Sequence, residues 1–257
     1  MKVVILCGGM GTRMAEFTKT IPKPMVTILG VPIFKHIISI YSSYGFTEFH
    51  LALGYKSEVF LKYFFSNNIL QGKINEFYKN NVVLKDIILK SKRLKIYLHN
   101  TGKNTLTGGR LKKLSSFLTK TFFLTYGDGL ANVNIKKLLH HHKLNKKLVT
   151  ITAVRPPARF GVLDIKGSRV SKFIEKPQVS EGWINGGFFV VEPGFLKFIK
   201  DDFTILEKEP LEKIARIRQL NAFKHKSFWQ CIDTKRERDV IEDLAKNNGA
   251  LWLRRKY

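Results

Sequence analysis

Apolar positions recur along this chain in two periods, and the changes between them mark out its elements. Residues 2–7, Lys-Val-Val-Ile-Leu-Cys, form an apolar, β-branched run halted by Gly8-Gly9, which predicts a buried first strand. Pro32 opens a pattern in which Ile33, His36, Ile37, Ile40, Tyr41 and Tyr44 recur at helical spacing until Gly45 stops it. A second strand is expected at 47–53 and a helix at about 56–66. The stretch around 72–95 is lysine-rich and yields no clear element; strands follow at 95–99 and 121–126, the latter running into Gly127-Asp128-Gly129. A helix at about 134–144 and a strand at 148–154 continue the alternation. Strands alternating with helices argue for a mostly parallel sheet covered by helices.

Beyond about residue 155 the rhythm changes. Short strands succeed one another at 161–165, 169–175 and 187–191, with turns at Lys166-Gly167 and Glu181-Gly182. Helices at about 193–200, 209–217 and 234–246, with a strand near 220–224, complete the chain. There is no internal repeat, Pro/Ser-rich linker or low-complexity tail. The expected architecture is α/β: a Rossmann-like mixed, mostly parallel sheet flanked by helices, in a single domain over 1–257 with a smaller β-rich subregion.

Composition narrows the class. The chain has 257 residues, 44% hydrophobic and 25% charged, which suits a globular α/β domain. Its apolar runs fall short of the roughly 18–20 residues that span a bilayer, and Met1–Leu6 lacks the long apolar core of a signal peptide. Two cysteines, Cys7 and Cys231, make no disulfide framework and no metal-ligand spacing, so a cytoplasmic protein without a membrane partner is expected. The formal charge is +25, which raises polyanions as partners. The 33 lysines are spread along the chain, however, and no nucleic-acid-binding signature or basic-aromatic repeat accompanies them. The expectation is a lysine-biased surface with no nucleic-acid partner.

The chemistry begins at residues 6–14, Leu-Cys-Gly-Gly-Met-Gly-Thr-Arg-Met. A glycine-rich turn after a strand brings backbone N–H groups close to a ligand's phosphates. The Walker A pattern is absent, and the dinucleotide fingerprint fails because Met14 stands where its third glycine belongs. What the residues do match is Gly8-Gly9-x-Gly11-Thr12-Arg13 followed by Lys23-Pro24-Met25, which resembles the signature of the sugar-1-phosphate nucleotidyltransferases. Gly54-Tyr55-Lys56, Asn100-Thr101-Gly102, Thr107-Gly108-Gly109-Arg110-Leu111, Thr125–Gly129, Pro156-x-x-Arg159-Phe160-Gly161, Glu175-Lys176-Pro177, Ile184–Phe189 and Phe228-Trp229-x-x-x-Asp233-Thr234 follow in order. Together they resemble the branch of that family that joins CTP to glucose 1-phosphate. The resemblance covers the chain except about 67–98, and Cys7 departs from the alanine usual there.

The resemblance implies the nucleotide-diphospho-sugar transferase fold, with 1–155 mainly binding nucleotide, 156–233 mainly binding sugar and metal, and 234–257 a C-terminal helix and tail. It implies attack of the sugar phosphate oxygen on the α-phosphorus of CTP, giving CDP-glucose and pyrophosphate. The substrate carries its own nucleophile, so catalysis is positioning and charge neutralisation. Arg13 and Lys23 are then the catalytic cations at the triphosphate. Leu6, Gly8, Gly9, Gly11, Thr12, Arg13, Lys23, Thr101, Thr107, Gly108 and Arg110 are the expected nucleotide site. Tyr126, Gly127, Asp128, Glu175, Lys176, Asn185 and Gly186 are the expected sugar-phosphate site, with Lys176 on the phosphate and Glu175 on ring hydroxyls. Asp128 and Asp233 are the expected ligands of Mg²⁺, an ion that prefers oxygen donors. A homo-oligomer, a hexamer, and a role in supplying a cell-surface sugar such as that of lipopolysaccharide O-antigen are implied in the same way.

Some readings stay open on the residues alone. The same machinery serves a relative using UTP, dTTP or another hexose 1-phosphate, because backbone groups that read the base are invisible in sequence. Asp233 has an alternative as the N-cap of the helix that follows. His140-His141-His142 cannot face one ion, since successive helical residues point about 100° apart; a partly exposed helix face is expected there.

Overall fold

The computed structural model describes residues 1–11, 14–89, 91–156, 162–166, 168–174 and 182–253, with backbone alone at 15, 17, 162–166 and 172–174. In chain order the strands are β1 (Lys2–Cys7), β2 (Thr27–Ile28), β3 (Val31–Pro32), β4 (Glu48–Leu53), β5 (Val82–Leu89), β6 (Lys92–Asn100) and β7 (Phe122–Tyr126). They continue with β8 (Gly129–Ala131), β9 (Val149–Val154), β10 (Val162–Lys166), β11 (Arg169–Ile174), β12 (Ile184–Val191), β13 (Leu220–His225) and β14 (Trp229–Cys231). The helices are α1 (Ala15–Thr18), α2 (Ile33–Ser43), α3 (Ser57–Phe64), α4 (Asn67–Asn80), α5 (Thr107–Lys113), α6 (Ile135–Asn145), α7 (Glu209–Arg216) and α8 (Lys235–Asn248).

Eight strands form one sheet in the order β13-β9-β12-β7-β1-β4-β6-β5. β1 is parallel to both β4 and β7, β4 to β6 and β9 to β13, while β12 and β5 run antiparallel to their neighbours. Side chains alternate between the faces. Val3, Ile5 and Cys7 of β1 join one core with Phe123, Phe188 and α2; Val4 and Leu6 join the other with Phe122, Phe189 and α7. Burial on both faces explains why β1 reads as an unbroken apolar run.

This topology positions the site. The chain leaves β1 with β4 on one side and β7 on the other, so a crevice opens beyond the carboxyl ends of these strands. Gly8, Gly54 and Gly127 follow those ends. A small ladder, β8 with β14, pairs Gly129 with Cys231 and Ala131 with Trp229. Ile232 N donates to Asp128 O at 2.9 Å, so the register brings Asp128 and Asp233 to the same end of the ladder.

The structure departs from the sequence expectation chiefly between residues 67 and 113. The lysine-rich stretch is helix α4 and the antiparallel hairpin β5–β6 at the sheet edge. Its outer positions face solvent, so exposed Asp86, Arg93 and Lys95 alternate with inward positions such as Val83, Leu94 and Ile96 and dilute the apolar signal. α5 was not expected, and Pro193–Phe198 is a 3₁₀ helix rather than a longer α-helix.

Candidate active site

Two adjoining cavities lie in the crevice. The first, of about 340 Å³, opens against the Gly8–Gly11 loop, Lys23, Arg110 and Tyr126–Asp128. The second, of about 400 Å³, lies among Tyr126, Asn185–Phe188, Glu207, Trp229 and Cys231. Tyr126, Asp128 and Asp233 line both and so mark their junction.

Lys23 stands at that junction. It enters on a short 3₁₀ turn, Lys23–Met25, set by the flanking Pro22 and Pro24. Its Nζ donates to Asp128 Oδ2 at 2.6 Å and also to Asp233 Oδ1. Burial opposes the charge on Lys23, but Asp128, reinforced by Asp233, outweighs it and holds the ammonium above the usual lysine range. The two carboxylates thus already grip a cation. Cys231 adds a thiol, its Sγ and one oxygen of each aspartate lying within 4.8 Å of one another. A pair of carboxylates shared by one positive charge suits a divalent cation, and Asp128 and Asp233 would hold it. The cap of α8 is Thr234, not Asp233: Thr234 Oγ1 accepts from Glu237 N at 3.2 Å while Glu237 accepts from Asp233 N at 2.7 Å.

The first cavity's floor is built around Arg110. Its guanidinium is buried and donates to the carbonyls of Gly8, Leu53, Gly102 and Lys103 and to Thr101 Oγ1. A Cβ on Gly8 or Gly54 would fall within 2.3 Å of this side chain, which is why both positions hold glycine. Burial pulls the Arg110 pKa down to about 10, and its two terminal nitrogens are bonded to backbone at the carboxyl ends of β1, β4 and β6.

The expected nucleotide residues therefore divide. Leu6, Gly8, Gly9, Gly11, Lys23, Thr107 and Arg110 line the first cavity. Thr101 does not line either cavity: it is fully buried behind the loop, its hydroxyl donating to Leu53 O. Gly108 also faces away, because α5 packs so closely on the 201–204 segment that a Cβ would meet Thr204 O at 2.7 Å. Thr12 and Arg13 lie outside the described residues.

Among the expected sugar residues, Tyr126, Asp128, Asn185 and Gly186 line the second cavity. Gly127 instead lines the first, wedged against Pro24 and Leu6 O. Asn185 donates to the Tyr126 hydroxyl at 3.0 Å and accepts from Gly187 N at 2.8 Å, and Trp229 Nε1 donates to Gly186 O. Glu175 and Lys176 lie outside the described residues. Sequence reasoning missed Glu207, whose carboxylate accepts from Tyr126 at 2.6 Å and from Thr107 at 2.7 Å. No motif announced it; only an acid in the loop before α7 was there to see.

Two minor expectations are revised or completed. His142 is not on an exposed face: it is buried, bonded to Thr150 and Glu192, whereas His140 is exposed. Cys7 and Cys231 are both free thiols, and burial, with Asp128 nearby, pushes both well above the usual thiol range.

Known proteins resemble this arrangement along the whole chain. The nucleotidyl transferase family model matches residues 2–235. A glucose-1-phosphate cytidylyltransferase of Salmonella typhimurium is 41% identical over 254 residues, covering 98% of each chain. A probable glucose-1-phosphate cytidylyltransferase of Bacillus subtilis is 38% identical, covering 98% of this chain and 99% of its own. Among solved structures, HddC from Yersinia pseudotuberculosis shares the fold with a TM-score of 0.65 at 23% identity, over 94% of this chain and 98% of that one. The glycine loop, the junction lysine and the two cavities are thus set on a sheet of known type, and the chain belongs to the nucleotidyl transferase family.

Proposed function

We propose that this nucleotidyltransferase joins CTP to α-D-glucose 1-phosphate, releasing pyrophosphate and CDP-glucose. The observation that carries the reading is Lys23, held by Asp128 and Asp233 where the glycine-loop cavity and the second cavity meet. The choice of CTP and glucose rests on the relatives named for that activity.

CTP lies in the first cavity with its phosphates on the amides of Gly8–Gly11, and glucose 1-phosphate lies in the second. A phosphate oxygen of the sugar attacks the α-phosphorus in line; the new O–Pα bond forms as the bond to the β-phosphate oxygen breaks, and pyrophosphate leaves. Lys23 turns from the carboxylates to the crowded phosphoryl oxygens, and Arg13 assists from the same loop. Lys176 holds the sugar phosphate and Glu175 the ring. Asp128 and Asp233 hold Mg²⁺, which when bound supplies positive charge to the reacting phosphates. Arg110 acts indirectly, by keeping the glycine loop in shape. We place the protein in the cytoplasm with its nucleoside triphosphate. We also propose a homo-oligomer, a reading supported by Ile88, 80% exposed on edge strand β5, and checked by light scattering.

The test is pyrophosphate release with each of CTP, UTP, dTTP, GTP and ATP and glucose 1-phosphate, with and without Mg²⁺. Release with CTP alone, dependent on the metal, is expected. Preference for UTP or dTTP would replace the proposed base and keep the chemistry.

A further inference from the structure

Glu207 has a place in the site that its sequence surroundings do not announce. It lies in the loop between the 3₁₀ turn at Pro193–Phe198 and α7, on the rim of the second cavity. Oε2 accepts from Thr107 Oγ1, a residue of the first cavity's wall, and Oε1 accepts from the Tyr126 hydroxyl at the junction. Tyr126 in turn accepts from Asn185, whose Oδ1 is fixed by Gly187 N. One carboxylate therefore ties the nucleotide wall to the sugar wall.

These bonds use one lone pair on each oxygen. A carboxylate accepts about four hydrogen bonds and donates none, so about two remain, on a residue that lines the second cavity. The matching ligand group is a neutral donor. A phosphate dianion is excluded by like charge, whereas a sugar hydroxyl fits. Like charge and hydroxyl donors thereby orient the substrate: its phosphate lies toward Lys23 at the junction, and its ring lies toward Glu207.

Resting on the reading of the second cavity as the hexose pocket, we propose that Glu207 accepts a ring hydroxyl of the sugar and is a specificity residue for it. The test compares wild type with Glu207→Ala and Thr107→Val on glucose 1-phosphate and its 2-, 3-, 4- and 6-deoxy analogues, measured as kcat/KM and, for the sugar phosphates themselves, as binding by calorimetry. A charge-assisted hydrogen bond carries a preference of about tenfold or more. Wild type should prefer glucose 1-phosphate over one deoxy analogue by that factor. Glu207→Ala should lose that preference alone, and its KM for CTP should shift no further than that of Thr107→Val, which breaks the same tie to the nucleotide wall.

Thr107→Val breaks the tie to the nucleotide wall, and the acceptor for Leu206 N with it, but keeps the Glu207 carboxylate and its bond to Tyr126, so discrimination among the analogues should survive in it. If Glu207→Ala lowers activity equally for every analogue, or if Thr107→Val reproduces its profile, Glu207 is a strut and the proposal is wrong. A wrong nucleotide shows differently: pyrophosphate release with CTP fails in wild type while the calorimetric pattern across the sugars stands. A wild-type chain that binds none of the sugars overturns both.

Discussion

Lys23 concentrates the chemistry of the site in one side chain. Between two prolines it has little freedom of approach, and its ammonium is shared by carboxylates 105 and 210 residues away in sequence. Lys23→Ala should cut kcat by about 10²–10³, the range for losing one preorganised charge donor at a transition state. Wild-type turnover in steady-state kinetics would remove it from the mechanism. Asp128→Asn and Asp233→Asn keep the shape but each removes one negative charge. Each variant should need more Mg²⁺ for half-maximal activity, and the double variant should be little worse than the poorer single one, as for groups acting as a unit. Stability separates the two roles open to Asp233. Because Thr234 caps α8, Thr234→Ala should cost about 1 kcal/mol in denaturant unfolding, with the Mg²⁺ requirement unchanged.

Strands β4 and β6 carry a pair of buried histidines that the apolar pattern hides. His50 Nδ1 and His99 Nε2 are 2.9 Å apart; His50 stacks on Tyr97, Phe117 meets His99 edge-on, and Glu48 lies 3.2 Å from the other His50 nitrogen. Burial pulls their pKa values down, to about 4 for His50 and about 3 for His99, against Glu48's support for His50 and with Lys2 opposing both. In the unfolded chain both titrate near 6.5. The unfolded state therefore binds more protons as pH drops below 6.5, and the contribution to stability, complete above that value, is lost toward pH 4 and 3. Urea unfolding at pH 7 and pH 5 should show a fall in stability that shrinks in the His50→Gln, His99→Gln double variant. An unchanged pH dependence would mean that the pair is protonated in the folded state. The strand at 95–99 that holds His99 was expected and is the inner part of β6, but its hairpin partner β5 was obscure in sequence for a related reason. One face of β5–β6 meets solvent, so its charged positions look like loop unless the period of two is followed residue by residue.

Taken as a molecule, the protein is a sheet with two packed faces and one reactive edge, carrying a formal charge of +25. Such a field draws polyanions toward the crevice over distances of about a Debye length, roughly 8–10 Å in physiological salt. The KM for CTP should therefore rise with NaCl concentration while kcat changes little, since pairs already in contact are screened less. A salt-independent KM would confine the useful charge to the site itself. Among the described residues no helix is long and apolar enough to cross a membrane, in keeping with the short apolar runs of the sequence.

Most strands of the main sheet, most helices and the glycine turn were legible in the chain, because each depends on neighbours a few positions away; the Lys23-Pro24 entry was legible through the resemblance. Apolar period, β-branching, proline and glycine act through local sterics, and they act the same way before and after folding. The pairing of Asp128 with Asp233 was expected from resemblance, but its cause is the register that sets Gly129 against Cys231. Tertiary structure alone decided that Arg110 serves backbone carbonyls, that Thr101 and Gly108 turn away from the cavities, that His142 is buried, and that Glu207 bridges two walls. Each of these roles depends on at least one partner tens of residues distant or more. No spacing rule encodes such a meeting; it is made only when the sheet's strand order and both hydrophobic faces close together.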